Sequence, residues 1–552
     1  MGAERTHAQR PVALRGLASI ALVGATMLAA AGAAIVSAHA PEREAPARSA
    51  SRPPALHLGP YGVVSEAIVQ ENSRAGTTAW RIPKGAASGI EGFADTTDAV
   101  RGDAVGLYVS TSSTRFRVVA YRMGYYGGDG ARLVWASRTY RGRVQPRCPV
   151  HRSTNTVSCD NWSRSLTVPI TDAFVPGDYL LKLVGSGGHE SYILLTVSEP
   201  SSRATYLVIN RSFTEAGWNT FGGYSFYSGQ GPCRYAETYP VCNRARVLSF
   251  DRPYADGSGA ADFLGEEYPL VRLMEQHGLD ATYVTDVELT MDPGLVSHHK
   301  AILSLGHDEA WTYEERLAVQ DAERHGTNVA FLGAAAIVRH VRLASSDLGS
   351  ARLVVDYRDS AEDPLDGHAS PMQVTGNTWE SPPTDWSPIP FVGEEYAGYL
   401  DVGHDAPFVV ADATAWVFRH TGLHDGSKLP GVIASDIDHV DASAAVHGNL
   451  EVLAHSPVPL SSAFTGMGQW NGLTYSDMTY YTDPSSKAGV LDTGDNNWID
   501  SLSPCTQIRV AACPASDVAR ITGNILWLFG QGPAGRLIAS VSNARSISPP
   551  GS

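Results

Sequence analysis

Several signatures that would assign an activity are missing from this 552-residue chain. No HExxH, P-loop, GxGxxG or GxSxG stands where a flanking strand and helix would support it, so none of those enzyme classes is indicated. Cysteine is scarce, at six residues. None forms a CxxC, which leaves zinc little tight spacing to use. None lies at a strand-to-helix elbow, so a cysteine-nucleophile amidotransferase mechanism is unsupported. Positive charge is also short. The formal charge is −15, and with Arg5, Arg10 and Arg15 against Glu4 in the first 40 residues the remainder carries about −17. Phosphate recognition needs a basic footprint, which argues against nucleic acid as the main partner. No internal repeat appears, and no low-complexity tract beyond the N-terminus.

What is present describes a folded, loop-rich protein: 43% hydrophobic and 18% charged residues, with 54 Gly and 33 Pro. Residues 1–15 bear arginine, and the apolar run over 16–40 ends in Ala38-His39-Ala40, which reads as a secretory signal or, uncleaved, as a membrane anchor. Both place the body outside the cytoplasm, secreted or held at the outer face of the membrane. Cys148 with Cys159, Cys233 with Cys242 and Cys505 with Cys513 then read as three local disulfides formed after export. Residues 41–60, rich in Pro, Ala and Arg, form a linker expected to be disordered.

From 61 to 200 the runs VGLYVST, TRFRVVAY, LTVPI, YLLKLV and SYILLTV, separated by turn signals such as YGGDG and VPGD, predict an antiparallel β-sandwich. From 203 to 540 the pattern changes. TYLVIN, DATYV, KAILSLG and NVAFLG, alternating with helical segments such as YPLVRLMEQHG, predict an α/β domain with a mainly parallel sheet. The fold class is therefore α/β plus all-β.

Residues 303–316 read LSLGHDEAWTYEER. Thr312 with Glu315 has capping-box spacing and Gly326 can end the helix, so a helix is expected over 313–325. That puts His307, Asp308 and Glu309 in a turn at the carboxyl end of a strand, where open α/β sheets bind ligands. The run PGVIASD (430–436) is expected to be a further strand of that kind, delivering Asp436, Asp438 and His439. WNTFGGYSFY (218–227) offers Trp218, Asn219, Tyr224 and Tyr227 to hold a small polar ligand or substrate. Imidazole and carboxylates in one crevice suit a hard or borderline metal ion or general acid–base chemistry.

The strings YRMGYYGGDGARLVW (121–135), WNTFGGYSFY, FDRPY (250–254), GHDEAWT (306–312), NVAFLGAAAIVRHVRL (328–343) and TYYTDP…DTGDNNWIDSL resemble the large (β) subunit family of N,N-dimethylformamidase. The resemblance implies an Ig-like sandwich followed by a domain similar to class I glutamine amidotransferases. It also implies hydrolysis of a small amide's C–N bond at an iron held by two tyrosines and a glutamate, in an enzyme that has a small second subunit. This chain departs from that pattern. GHDEAW stands for the family's GHDEYW, GAAAIVR (333–339) for a string like GGNALYW, and ASDID (434–438) for one like GYEWD. Ala310, Val338 and Asp436 thus occupy the ligand positions, and no cofactor is expected. Two readings follow. In one, the protein binds a ligand, such as a cell-surface saccharide, on a degenerate site. In the other, it hydrolyses an amide-like C–N bond using His307, Asp308, Glu309 and Asp436, with another metal or none.

Overall fold

The computed structural model describes residues 55–231, 243–440, 448–459, 464–466, 473–503 and 514–547. Cys233, Cys242, Cys505 and Cys513, like the N-terminal apolar run, lie outside them; Cys148 and Cys159 form a disulfide. No helix among the described residues is long and apolar enough to cross a membrane.

Two sheets enclose the first core. Strands β1 (Ile90–Ala94), β3 (Ala104–Thr111) and β6 (Leu166–Pro169) form one, in the order β6-β3-β1. The other contains β2 (Asp98–Ala99), β4 (Arg115–Met123), β5 (Ala131–Ala136), β7 (Gly177–Gly185) and β8 (Glu190–Val197), in the order β2-β8-β7-β4-β5, with Tyr140–Arg141 beside β4. Leu107, Val118, Leu181 and Ile193 meet between the sheets. The expected antiparallel pairing holds except where β2 runs parallel to β8. The larger sheet is buried on its outer face too, where Leu180 and Val119 pack with Phe263 and Tyr268. That second burial explains why β7 reads YLLKLV rather than alternating with polar residues.

The second sheet has seven strands: β9 (Tyr206–Asn210), β10 (Ala281–Thr285), β11 (Ala301–Gly306), β12 (Asn328–Gly333), β15 (Glu451–Pro459), β16 (Leu473–Thr482) and β17 (Gly489–Asp492). Their order is β10-β9-β11-β12-β17-β16-β15. The first five are parallel, and β16 and β15 add antiparallel at one edge. Val208, Leu303 and Leu332 fill the core on one face, and Ile209, Ile302 and Phe331 the core on the other.

Between β12 and β15 the chain forms smaller sheets of its own. PGVIASD is not one strand: Lys428–Ile433 pairs antiparallel with Ala406–Val409, the chain turns at Ser435 (φ 63°), and β14 (Asp436–His439) pairs with β13 (Glu395–Leu400). Neither piece joins the parallel sheet. The main helices are α1 (Ser212–Trp218), α2 (Tyr268–Gln276), α3 (Asp286–Met291), α4 (Tyr313–Arg324) and α5 (Ala515–Phe529). Helix α4 matches its expectation closely, with Thr312 Oγ1 accepting from Glu315 N at 3.2 Å.

Residues from Pro54 onward form one compact unit. A buried ion pair ties its layers together: Arg122 of β4 donates to Glu275 of α2 through Nη1 at 2.9 Å and Nη2 at 2.7 Å. Removing one partner of such a pair leaves an uncompensated charge. Glu275→Ala is expected to lower the unfolding free energy by about 3–5 kcal/mol in a urea titration. A loss under about 1 kcal/mol would show that Arg122 recovers solvent or another partner.

Candidate functional site

Gly306 ends β11 with φ 54°. A Cβ on Gly333, at the end of β12, would lie 1.8 Å from Gly306 O, so the two strand ends approach as only glycine permits. That approach ties the turn 307–309 to the loop 334–338. Ile337 N donates to Asp308 O at 3.2 Å and Arg339 N to Glu309 O at 2.6 Å. Ala335 (φ 56°) and Ile337 (φ 59°) take left-handed backbone in the loop. This is costly for alanine and more so for a β-branched residue.

His307 sits between two carboxylates. Its Nε2 lies 3.3 Å from Glu309 Oε2, and its Nδ1 lies 3.9 Å from Asp436 Oδ2. Nε2 makes no well-aligned hydrogen bond. Asp436 is fixed by Tyr396 Oη, donating at 2.6 Å, and Ser435 Oγ, donating at 3.0 Å. The His307 carbonyl accepts from Arg211 Nη1 at 3.2 Å, and its amide donates to Glu266 Oε2 at 3.3 Å. Trp218, 41% exposed, flanks the imidazole at 5.7 Å between ring centroids and stacks on Tyr227 at 3.9 Å. Arg358 lies over the Tyr227 ring at 4.4 Å. The site is therefore an enclosed imidazole and carboxylates with an aromatic rim at the surface.

Other candidate residues go elsewhere. Asp308 turns inward, where Ser304 Oγ donates to it at 2.8 Å, and it belongs to a buried acidic group with Asp286 and Glu315. Asp438 accepts from Ala335 N at 2.9 Å and so pins the strained loop. His439 faces Glu395 at 2.9 Å. Asn219 is buried, with Nδ2 bonded to Pro253 O and Oδ1 accepting from Phe221 N and Ala255 N. Tyr224 is core, its hydroxyl accepting from Arg152 at 2.9 Å. Asn219 and Tyr224 are thus spent on structure, while Trp218 and Tyr227 remain at the site. Ala310 and Arg339 are partners in a short parallel ladder, so Ala310 lies close to the backbone of Val338. Tyr396 was not legible in the sequence, since no motif marks it and its partner stands 40 residues away.

The family model described as N,N-dimethylformamidase beta subunit-like, C-terminal, matches residues 117–511. The chain belongs to this family. The match begins inside β4, so the dimethylformamidase-like region takes in most of the larger sandwich sheet as well as the α/β layers. No curated protein matches the chain. Two solved structures show slight similarity. One is an uncharacterized protein from Bacillus anthracis str. Ames, with 18% identity over 19% of this chain and 84% of that chain, at a TM-score of 0.14. The other is a cycloisomaltooligosaccharide glucanotransferase of Paenibacillus sp., with 9% identity over 50% of this chain and 34% of that one, at a TM-score of 0.14. Overlap this slight carries nothing about fold or chemistry.

Burial pushes the Glu309 carboxyl up to about 7, an effect that Arg339 and Arg358 offset only in part. Asp308 and Asp438 are raised to about 7 by burial as well. The folded chain therefore keeps protons that the unfolded chain releases. The stability they contribute is complete below about pH 4, the unfolded range, and is lost as pH rises through about 7. The urea midpoint should fall between about pH 5 and pH 8. Glu309→Gln should make that fall shallower; an unchanged slope would mean Glu309 is ionised throughout.

Proposed function

We propose that the protein hydrolyses the C–N bond of a small amide-like molecule, with His307 as base and without the tyrosinate–iron centre of its family. The observation that carries this reading is the His307 imidazole, set between Glu309 and Asp436 with Nε2 free of a well-aligned bond. Asp436, steadied by Tyr396 and 3.9 Å from Nδ1, favours the imidazolium that forms when Nε2 accepts a proton. Nε2 takes a proton from water as the oxygen attacks the carbonyl carbon. Glu309, titrating near neutrality, can donate a proton to the departing nitrogen and recover one from His307. The products are a carboxylic acid and an amine.

Iron of the family type does not suit these residues. Ala310 and Val338 offer no lone pair, and Asp436 is already engaged by Tyr396 and Ser435. Tyr396 does not stand at either of those positions, and its hydroxyl is already committed as a donor to Asp436. Protein purified after growth with excess iron should be colourless and well below stoichiometric in metal. A visible charge-transfer band with stoichiometric iron would overturn this part of the reading.

The finer architecture belongs to the same proposal: an Ig-like sandwich over 61–200 and a glutamine-amidotransferase-like domain over 203–540. So does export, with residues 1–40 as signal or anchor and the three cysteine pairs oxidised. A second reading, saccharide binding without turnover, is favoured by the exposed Trp218 stacked on Tyr227. A panel of small amides assayed for amine release separates the two. Turnover is expected, with His307→Gln lowering kcat/KM by about 10²–10⁴-fold. No release from any amide, together with saccharide binding that Trp218→Ala abolishes, would favour the second reading.

A further inference from the structure

One cavity has none of His307, Glu309 and Asp436 in its lining. At about 70 Å³, it opens between the larger sandwich sheet and α1, with Phe93, Phe250 and Phe263 in its walls. Glu215, Glu267 and Arg352 in its wall already pair with Arg211 and Asp251; Asp178 of β7, Asn210 at the end of β9 and Arg252 also line it. Each of the three has a buried polar atom with no hydrogen-bond partner: Asp178 Oδ2, Asn210 Oδ1 and Arg252 Nε.

Two of the three are charges without counter-ions at hydrogen-bond distance. Asp178 Oδ1 accepts only from neutral groups, Asn210 Nδ2 and, at 3.2 Å, Thr196 Oγ1. The Arg252 guanidinium donates only to backbone carbonyls: Phe221 O and Tyr224 O at 2.9 Å and Asn219 O at 3.1 Å. Burial drives both toward neutrality, Asp178 up to about 7 and Arg252 down to about 10. Buried charges are normally paired, because leaving water unpaired is costly. Water in the cavity would satisfy the hydrogen bonds but would leave Arg252 charged and Asp178 either charged or holding a proton.

We propose that this cavity binds a compact zwitterion of glycine size, its ammonium on Asp178 and Asn210 and its carboxylate on Arg252. The small volume favours a ligand without a large side chain. The ligand would sit between the sandwich and α1, so its binding should also stabilise the fold. The proposal stands whether or not His307 is a catalyst.

The test is calorimetric titration of the full chain with glycine, with L-leucine, and with methylammonium and acetate together. Glycine should bind saturably, at least about tenfold more tightly than either comparison, and should raise the melting temperature. Asp178→Asn and Arg252→Gln should each weaken it by at least about tenfold. The ligand comparison on the unaltered chain decides the matter even if a variant does not fold. No saturable glycine binding, or equal binding of leucine, would overturn the proposal and leave a water-filled cavity.

Discussion

Carboxylates removed from water around the carboxyl ends of the parallel strands set the terms for the rest of the molecule. Asp308, Glu309, Asp438, Asp492 and Asp495 are all buried there. Each must find donors or keep a proton. Ala335 N donates to Asp438, Gly494 N to Asp492 and Ala434 N to Asp495. Some of these donors come from segments that hold unfavourable backbone, notably Ala335, Ile337 and Ser435 at positive φ. Strain of this kind persists only where the surroundings over-determine it, and it gathers at sites that do something. Stability and site geometry are therefore coupled: the same loops that satisfy buried acids place His307 against Glu309 and Asp436.

Much of the framework could be read from residue pattern. TYLVIN, KAILSLG and NVAFLG are uninterrupted apolar runs because their strands are covered on both faces, and they are strands β9, β11 and β12. Helix α4 was legible through Thr312 and Glu315, although the Glu315 carboxylate goes into the core instead of returning to the cap. The turn at His307 was placed correctly for the same reason, since strand end and helix start are both local signals.

What failed was non-local. PGVIASD looked like one strand because its apolar run says nothing of the left-handed turn at Ser435. Asp436 was expected to leave the parallel sheet; it arrives from β14, in a different sheet, and still meets His307. Asn219 and Tyr224 looked like ligand contacts because loop asparagines and tyrosines serve binding and packing alike, and only burial separates the two uses. Tyr396 gave no signal at all, because its role depends on pairing between β13 and β14.

Membership of the dimethylformamidase-like family fixes descent but not chemistry. The central claim is that Glu309 and Asp436, brought from separate sheet systems, act through one imidazole. A double-mutant cycle on kcat/KM for amide hydrolysis, using Glu309→Gln and Asp436→Asn, tests it most directly. The account predicts strong non-additivity, with the double variant little worse than the poorer single one. Losses that simply add would show two carboxylates acting independently and would contradict it.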